Sequence, residues 1–141
     1  MVTKAKVRKA TSRRFDKNNS QLHVTGSEAG TGPFRPGAIV LVTLNNPREK
    51  FWGVILGLSA EGLGLRGIEL SSFDDTSRAF AAGEPLPAAA LFFPMHRVER
   101  IELDLPVAAL PSLSEQFASR TGVEAERALS QAISRQRRAG A

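Results

Sequence analysis

Residues 39–70 read IVLVTLNNPREKFWGVILGLSAEGLGLRGIEL, where three short apolar segments follow one another with brief polar interruptions. Two further segments, AAALFF (88–93) and RVERIELDL (97–105), complete a set of five. Each has the length of an ordinary β-strand. Glycines inside the second and third segments favour a short sheet that bends back on itself. The sequence therefore predicts a small, strongly bent, five-stranded β-barrel.

Glycine positions indicate where the strands of this barrel change direction. Gly53 and Gly57 interrupt the second segment, and we expect the backbone to bend at both. In the third segment the apolar alternation changes phase at Arg66-Gly67, which predicts a β-bulge there. The first segment, residues 39–44, is apolar at nearly every position, so both of its faces are expected to be buried.

The chain outside the strands divides into a tail and a helical extension. Residues 1–33 are polar and basic, which predicts a disordered N-terminal tail, although QLHV (21–24) could add an edge strand. The barrel is assigned to residues 34–106 and the helical extension, with its basic end, to residues 107–141. The fold class is thus mainly β with C-terminal α, a barrel followed by two helices.

Helix-capping patterns predict three helices. A short helix at 74–83 interrupts the barrel, with Asp74 or Asp75 as its N-cap. The spacing of Ser112 and Glu115 is typical of a capping box for the first C-terminal helix. Thr121 and Glu124 repeat that spacing, which predicts a second box and a second helix.

Composition excludes several classes of protein. The 141 residues include no cysteine, which excludes disulfides, thiol catalysis and thiolate metal sites and is compatible with a reducing cytoplasm. No apolar segment approaches the roughly 20 residues that a membrane-spanning helix needs. We therefore expect a cytoplasmic protein that does not associate with a membrane.

The net charge of +5 is unevenly distributed along the chain. Residues 1–20 carry seven bases and one acid, and residues 120–141 carry five arginines and two glutamates. The intervening part holds seven bases and eleven acids, so the ends are basic and the body is mildly acidic. This pattern favours attraction of nucleic acid to the tails, and it equally suits tails that only keep a small protein soluble.

Two short motifs resemble the Sm-like small β-barrel family (LSm and Hfq types). Phe51-Trp52-Gly53-Val54-Ile55 is similar to the family's first motif in strand two. Met95-His96-Arg97, between strands four and five, is similar to the His and basic residue of the Hfq type in reversed order. SH3-like barrels share the strand plan and remain an alternative. The resemblance implies a non-enzymatic module that self-associates through the open edges of strands four and five and binds RNA.

The RNA-binding residues that this hypothesis predicts fall into two groups. His96 and Arg97 would contact bases or phosphates. The basic N-terminal residues, which would supply salt-dependent affinity for phosphates, are Lys4, Lys6, Arg8, Lys9, Arg13 and Arg14. A simpler interpretation makes His96 a turn residue that bonds to a nearby carbonyl.

No set of residues predicts catalysis or a bound cofactor. The sequence offers no glycine-rich phosphate loop, no Ser/His/Asp combination and no paired catalytic carboxylates. Asp74 and Asp75, with Glu69 nearby, resemble Mg²⁺ ligands superficially, but adjacent acids before a helix more often cap it. We therefore expect no catalytic residue, no metal and no cofactor.

Adjacent aromatic residues support a different function. Neighbours on a strand point to opposite faces, so one of Phe51/Trp52 and one of Phe92/Phe93 should face outward. An outward aromatic needs cover from the C-terminal helices, another subunit or a ligand. With the acidic body, this favours a protein–protein interaction or regulatory adaptor module without a nucleic-acid role, and segment 123–133 could be its docking helix.

Overall fold

The computed structural model describes residues 30–140, except for the side chains of residues 133–137 and 139. One compact unit begins at Pro33 and includes the rest of the described chain. The predicted disordered tail and the possible strand at 21–24 lie outside the described residues.

Five strands form one antiparallel sheet, as predicted in number and position. They are β1 (Ile39–Leu44), β2 (Lys50–Leu58), β3 (Gly62–Glu69), β4 (Ala89–Pro94) and β5 (Val98–Leu103). Their order across the sheet is β4-β3-β2-β1-β5. The last two strands of the sequence therefore lie at opposite edges, joined by a single 3₁₀ turn, Met95–Arg97.

The prediction of a closed or strongly bent barrel is wrong, because the sheet is open and is not strongly curled. Within residues 30–140 no pairing joins β4 to β5. The physical reason lies in the glycines that favoured bending. Two of them instead allow the backbones of neighbouring strands to approach each other closely. Gly53 and Gly67 lie opposite each other, and a Cβ on either would meet the backbone of the facing strand. The fold is mixed α/β, an open sheet with helices.

The β-bulge predicted at Arg66-Gly67 is also wrong. These residues pair regularly with Val54 and Gly53, and the register shifts in β2 instead, between Ile55 and Gly57. The apolar phase of β3 changes because both of its faces are buried. Leu63 and Leu65 point into one apolar cluster, whereas Ile68 points into the other.

Three helices in the described part of the chain accompany the sheet. Helix α1 (Phe73–Ala81) follows β3 after a 3₁₀ turn, and α2 (Leu113–Thr121) and α3 (Ala125–Ala139) follow β5. The short helix within the strand region and the two C-terminal helices are therefore confirmed. Ser72, without a side-chain cap bond, is the N-cap of α1. Asp74 and Asp75 lie within the first turn of the helix and not at the cap position, so their predicted capping role is wrong.

One of the two predicted capping boxes is present. The Glu115 amide donates to Ser112 Oγ at 3.1 Å, and the Ser112 amide donates to Glu115 Oε2 at 2.8 Å. The box predicted at Thr121 and Glu124 is wrong. The Thr121 hydroxyl donates to the carbonyl of Phe117 at 2.8 Å, so it continues the end of α2 and does not start α3.

The sheet has a core on each face. On one face Trp52 is fully buried against helical aromatic residues, with ring centroids 5.1 Å from Phe73 and 5.8 Å from Phe117. The opposite core contains six buried aliphatic residues: Val40, Val42, Leu44, Ile55, Leu63 and Leu65. Strand β1 supplies both cores, because Ile39 and Leu41 pack on the helical side. Its predicted burial on two faces is confirmed.

Candidate functional site

The predicted RNA-binding pair lies on the 3₁₀ turn between β4 and β5, with different surroundings for each residue. His96 is exposed. The Arg97 guanidinium is mostly covered and donates to the Asn46 carbonyl at 2.7 Å and to Glu49 Oε2 at 2.8 Å. The Arg97 carbonyl in turn accepts from the Asn45 amide at 2.9 Å. Arg97 therefore braces the turn against the β1–β2 loop, and His96 alone of the pair is presented to solvent.

The basic residues predicted to contact phosphates all precede residue 30. They are Lys4, Lys6, Arg8, Lys9, Arg13 and Arg14, and they lie outside the described residues. Between residues 30 and 140 the sequence has twelve lysines and arginines and twelve acids. The folded unit thus has no net charge with which to attract a polyanion.

The acidic residues near α1 form ion pairs with arginines. Asp74 Oδ1 accepts from Arg120 Nη1 at 2.5 Å, and the Arg120 guanidinium also lies 5.8 Å from the ring centroid of Phe73. The hydrogen bond and the charge of Arg120 lower the pKa of Asp74. Asp75 pairs with Arg78 at 3.9 Å. Over the described residues no three His, Asp or Glu side chains converge as metal ligands would.

Three large apolar side chains are exposed in the loop between β5 and α2, for which the sequence predicted no function. This loop, residues 105–111, reads LPVAALP and is called the apolar loop below. Leu105 is 61 %, Val107 70 % and Leu110 72 % exposed, whereas Leu56 is the one exposed large aliphatic residue of the five strands. The signal available in the sequence was seven uncharged residues, two of them proline, between a strand and a helix cap.

The backbone of the apolar loop is fixed by hydrogen bonds. The Val107 amide donates to the Leu110 carbonyl at 3.0 Å, and the Leu110 amide donates to the Val107 carbonyl at 2.9 Å. This isolated antiparallel bridge closes a tight turn in which Ala108 has a φ of 52°. Pro106 and Pro111 further restrict the chain on either side. The exposed aliphatic side chains are therefore presented from a defined backbone.

Asp104 anchors the base of the apolar loop to the core. Its Oδ2 atom accepts from the indole nitrogen of Trp52 at 3.0 Å, from the Ser114 amide at 2.8 Å and from the Ser114 hydroxyl at 2.6 Å. Its Oδ1 atom accepts from the Leu113 amide at 2.9 Å. The carboxylate thus satisfies two free amides at the start of α2, where a negative charge is favourable. It joins the sheet, the apolar loop and the helix.

A groove borders the C-terminal helices on another part of the surface. It has a volume of about 650 Å³ and lies between the segment before β4 and helices α2 and α3. Its apolar lining comes from Phe80, Leu86, Ala88, Val123, Ala128 and Ala132. Ala125, Ala128 and Leu129 of α3 are buried against the sheet, so the apolar side of segment 123–133 packs within the domain.

Comparison with protein-family models, curated proteins and solved structures found no match. The similarity to Sm-like barrels therefore stays a prediction from the sequence. Among the helices that the structure describes, none combines the length and apolar character needed to cross a bilayer.

Proposed function

We propose that this chain is a non-enzymatic protein-interaction module whose contact surface is the apolar loop. The observation that carries the proposal is the exposure of Leu105, Val107 and Leu110 on a backbone closed by its own hydrogen bonds. Adjacent exposed aliphatic side chains are typical of protein-binding surfaces. Because the loop is already ordered, binding would cost little conformational entropy.

Three further features support a protein partner. The folded unit has balanced charge, which suits an apolar contact better than a polyphosphate ligand. The loop is short and its aliphatic side chains are exposed, so they could fill an apolar pocket on the partner. The groove beside the C-terminal helices offers a second place where an apolar segment of the partner could lie.

Replacing Leu110 by Ser should weaken this interaction strongly without unfolding the protein. We would place a photoreactive amino acid at Val107, crosslink in extract from the source cells, identify the captured protein and titrate it in purified form. Because a well-packed aliphatic anchor contributes about 2 kcal/mol, Leu110→Ser should weaken binding by roughly thirtyfold. Leu56→Ser is the matched control, since Leu56 is 41 % exposed but lies outside the loop.

Two results would contradict the proposal. One is capture of the same proteins from position 107 and from exposed Glu99 on β5, which would indicate non-specific contact. The other is equal affinity of the Leu110→Ser and wild-type proteins for the purified partner, which would place the interface elsewhere.

RNA association is the second candidate function, and the exposure of His96 on the turn between β4 and β5 favours it. In this proposal the sheet is an open Sm-like one whose two free edges join neighbouring copies into a homo-oligomer. His96 would stack on a base, Arg97 would hold the turn in place, and the basic N-terminal residues would contact phosphates.

Removal of residues 1–29 and replacement of His96 should affect RNA binding differently. Neutralising phosphates releases counterions, so the truncated chain should lose affinity and most of its salt dependence. His96→Ala should lower affinity by about tenfold at every salt concentration, since a base stack contributes about 1–3 kcal/mol. Fluorescence anisotropy with a short single-stranded RNA measures both. If His96→Ala bound RNA as well as the wild type and the truncated chain did not bind RNA at all, the binding would be only a non-specific attraction to the tail.

A further inference from the structure

The two free edges of the sheet differ in how well they are protected from pairing. Strand β5 carries Glu99, Arg100 and Glu102, and the last two form an exposed ion pair at 3.1 Å. Its register with β1 also shifts at Thr43/Leu44, which marks a bulge. Charges and bulges are two of the devices that keep an edge strand from pairing with another chain.

Strand β4 has neither device. Residues 85–95 contain no charged side chain, and β4 pairs with β3 through six consecutive residues without a register shift. Phe92 is 61 % exposed on it. Within the described residues β4 is the outermost strand of this side of the sheet. An uncharged, regular edge strand with an exposed aromatic residue is prone to pair with another strand, which would cover it.

The hydrogen bonding shows which backbone groups are directed off this edge. The Met95 amide donates to the Glu61 carbonyl at 2.9 Å, so Met95 is directed at β3. Since successive residues of an antiparallel strand alternate, Phe93 and Leu91 are also directed at β3, whereas Phe92 and Ala90 present their amide and carbonyl groups outward. Pro94, which has no amide hydrogen, falls on an outward position, where it removes no bond to β3.

The order of side chains along β4 makes the strand complementary to itself. Residues 89–93 read Ala-Ala-Leu-Phe-Phe, two small residues, a central Leu91 and two large residues. Antiparallel pairing about a two-fold axis at Leu91 places each phenylalanine opposite an alanine of the other copy. It also joins the outward groups of Ala90 and Phe92 in four backbone hydrogen bonds. No charges face each other in this arrangement, whereas pairing with β5 would place Arg100 and Glu102 against apolar residues.

We infer that two copies of this chain associate through β4, antiparallel and two-fold symmetric about Leu91, to form one continuous ten-stranded sheet. The contact is isologous, so it stops at a dimer. This differs from the β4–β5 contact of the RNA-associated candidate, which would be heterologous and would continue into a ring or chain. It is also independent of the apolar loop, which lies after the opposite edge strand.

A cysteine at Leu91 tests the geometry directly, because the chain has no other cysteine. At the two-fold axis of a non-hydrogen-bonded antiparallel pair the two Cα atoms lie about 4.5 Å apart, within reach of a disulfide. Mild oxidation of the full-length Leu91→Cys protein should therefore give a covalent dimer. Arg100→Cys, exposed on the other edge, should remain monomeric under the same conditions.

Light scattering over a range of concentrations tests the affinity. Ala90→Lys adds a charge to the outward edge and should raise the apparent dimer dissociation constant at least about tenfold. Ala82→Lys, on an exposed alanine after α1, adds the same charge and should leave it unchanged. Circular dichroism confirms that both variants fold. The inference would be overturned by a wild-type chain that stays monomeric or by one with a ring-sized mass. It would also be overturned if Ala90→Lys left the dimer unaffected and Leu91→Cys formed no disulfide.

Discussion

Replacing Asp104 by Ala is expected to destabilise the protein by about 3–5 kcal/mol, a large part of a small domain's total stability. The carboxylate accepts four hydrogen bonds, and its removal leaves the indole N–H of fully buried Trp52 without that partner. It also leaves the Leu113 and Ser114 amides at the start of α2 without their hydrogen-bond acceptor. A buried or partly buried donor that loses its acceptor keeps the cost of its desolvation, which makes the loss larger than that of a surface ion pair.

Urea unfolding, followed by circular dichroism and by fluorescence, measures the effect. Trp52, the single tryptophan of the chain, donates a hydrogen bond to Asp104. The fluorescence emission of Trp52 in the folded Asp104→Ala protein should therefore change as well. Glu102→Ala is the matched control. It removes an acid two residues earlier, on β5, where the partner Arg100 is exposed, and should cost no more than about 0.5 kcal/mol. Equal losses in the two variants would show that Asp104 does not anchor the loop.

Local patterns of the sequence predicted the secondary structure well, because each depends on a few neighbouring residues. Five apolar segments became five strands, and the Ser112–Glu115 spacing became a capping box. Closure of the barrel could not be predicted in the same way. It depends on whether β4 meets β5 across the sheet, and nothing local to either strand determines that. The phase change in β3 was misinterpreted because a strand buried on both faces lacks simple alternation.

The candidate site was less predictable than the fold, for a related reason. His96 and Arg97 stood out by residue type, but the contacts of Arg97 with Asn46 and Glu49 join positions 51 and 48 residues apart. Asp104 has no sequence pattern that distinguishes it from the acids just before it, Glu99 and Glu102, and its partners come from β2 and α2. The exposure of the apolar loop depends on how the helices cover the sheet. Each of these features is set by tertiary contacts that short motifs do not encode.

Gly53→Ala should be at least as damaging to the sheet, with an expected loss of about 3 kcal/mol or more. A Cβ at this position would contact the Arg66 carbonyl oxygen and lie 2.6 Å from Gly67 Cα and 2.8 Å from Arg66 C. All three atoms belong to the backbone of β3, so no side-chain rotation relieves the overlap. The two strands would have to separate in the middle of the sheet, next to fully buried Trp52.

Gly57→Ala provides the control on the same strand. Both glycines interrupt β2 and looked equivalent in the sequence, but a Cβ at Gly57 would meet no atom within 4 Å. Its replacement should leave stability unchanged or raise it by up to about 1 kcal/mol, because alanine restricts the unfolded chain. Thermal and urea unfolding of both variants measure the difference. If Gly53→Ala were as stable as Gly57→Ala, β2 and β3 would not approach closely there, and Gly53 would serve only to bend the strand.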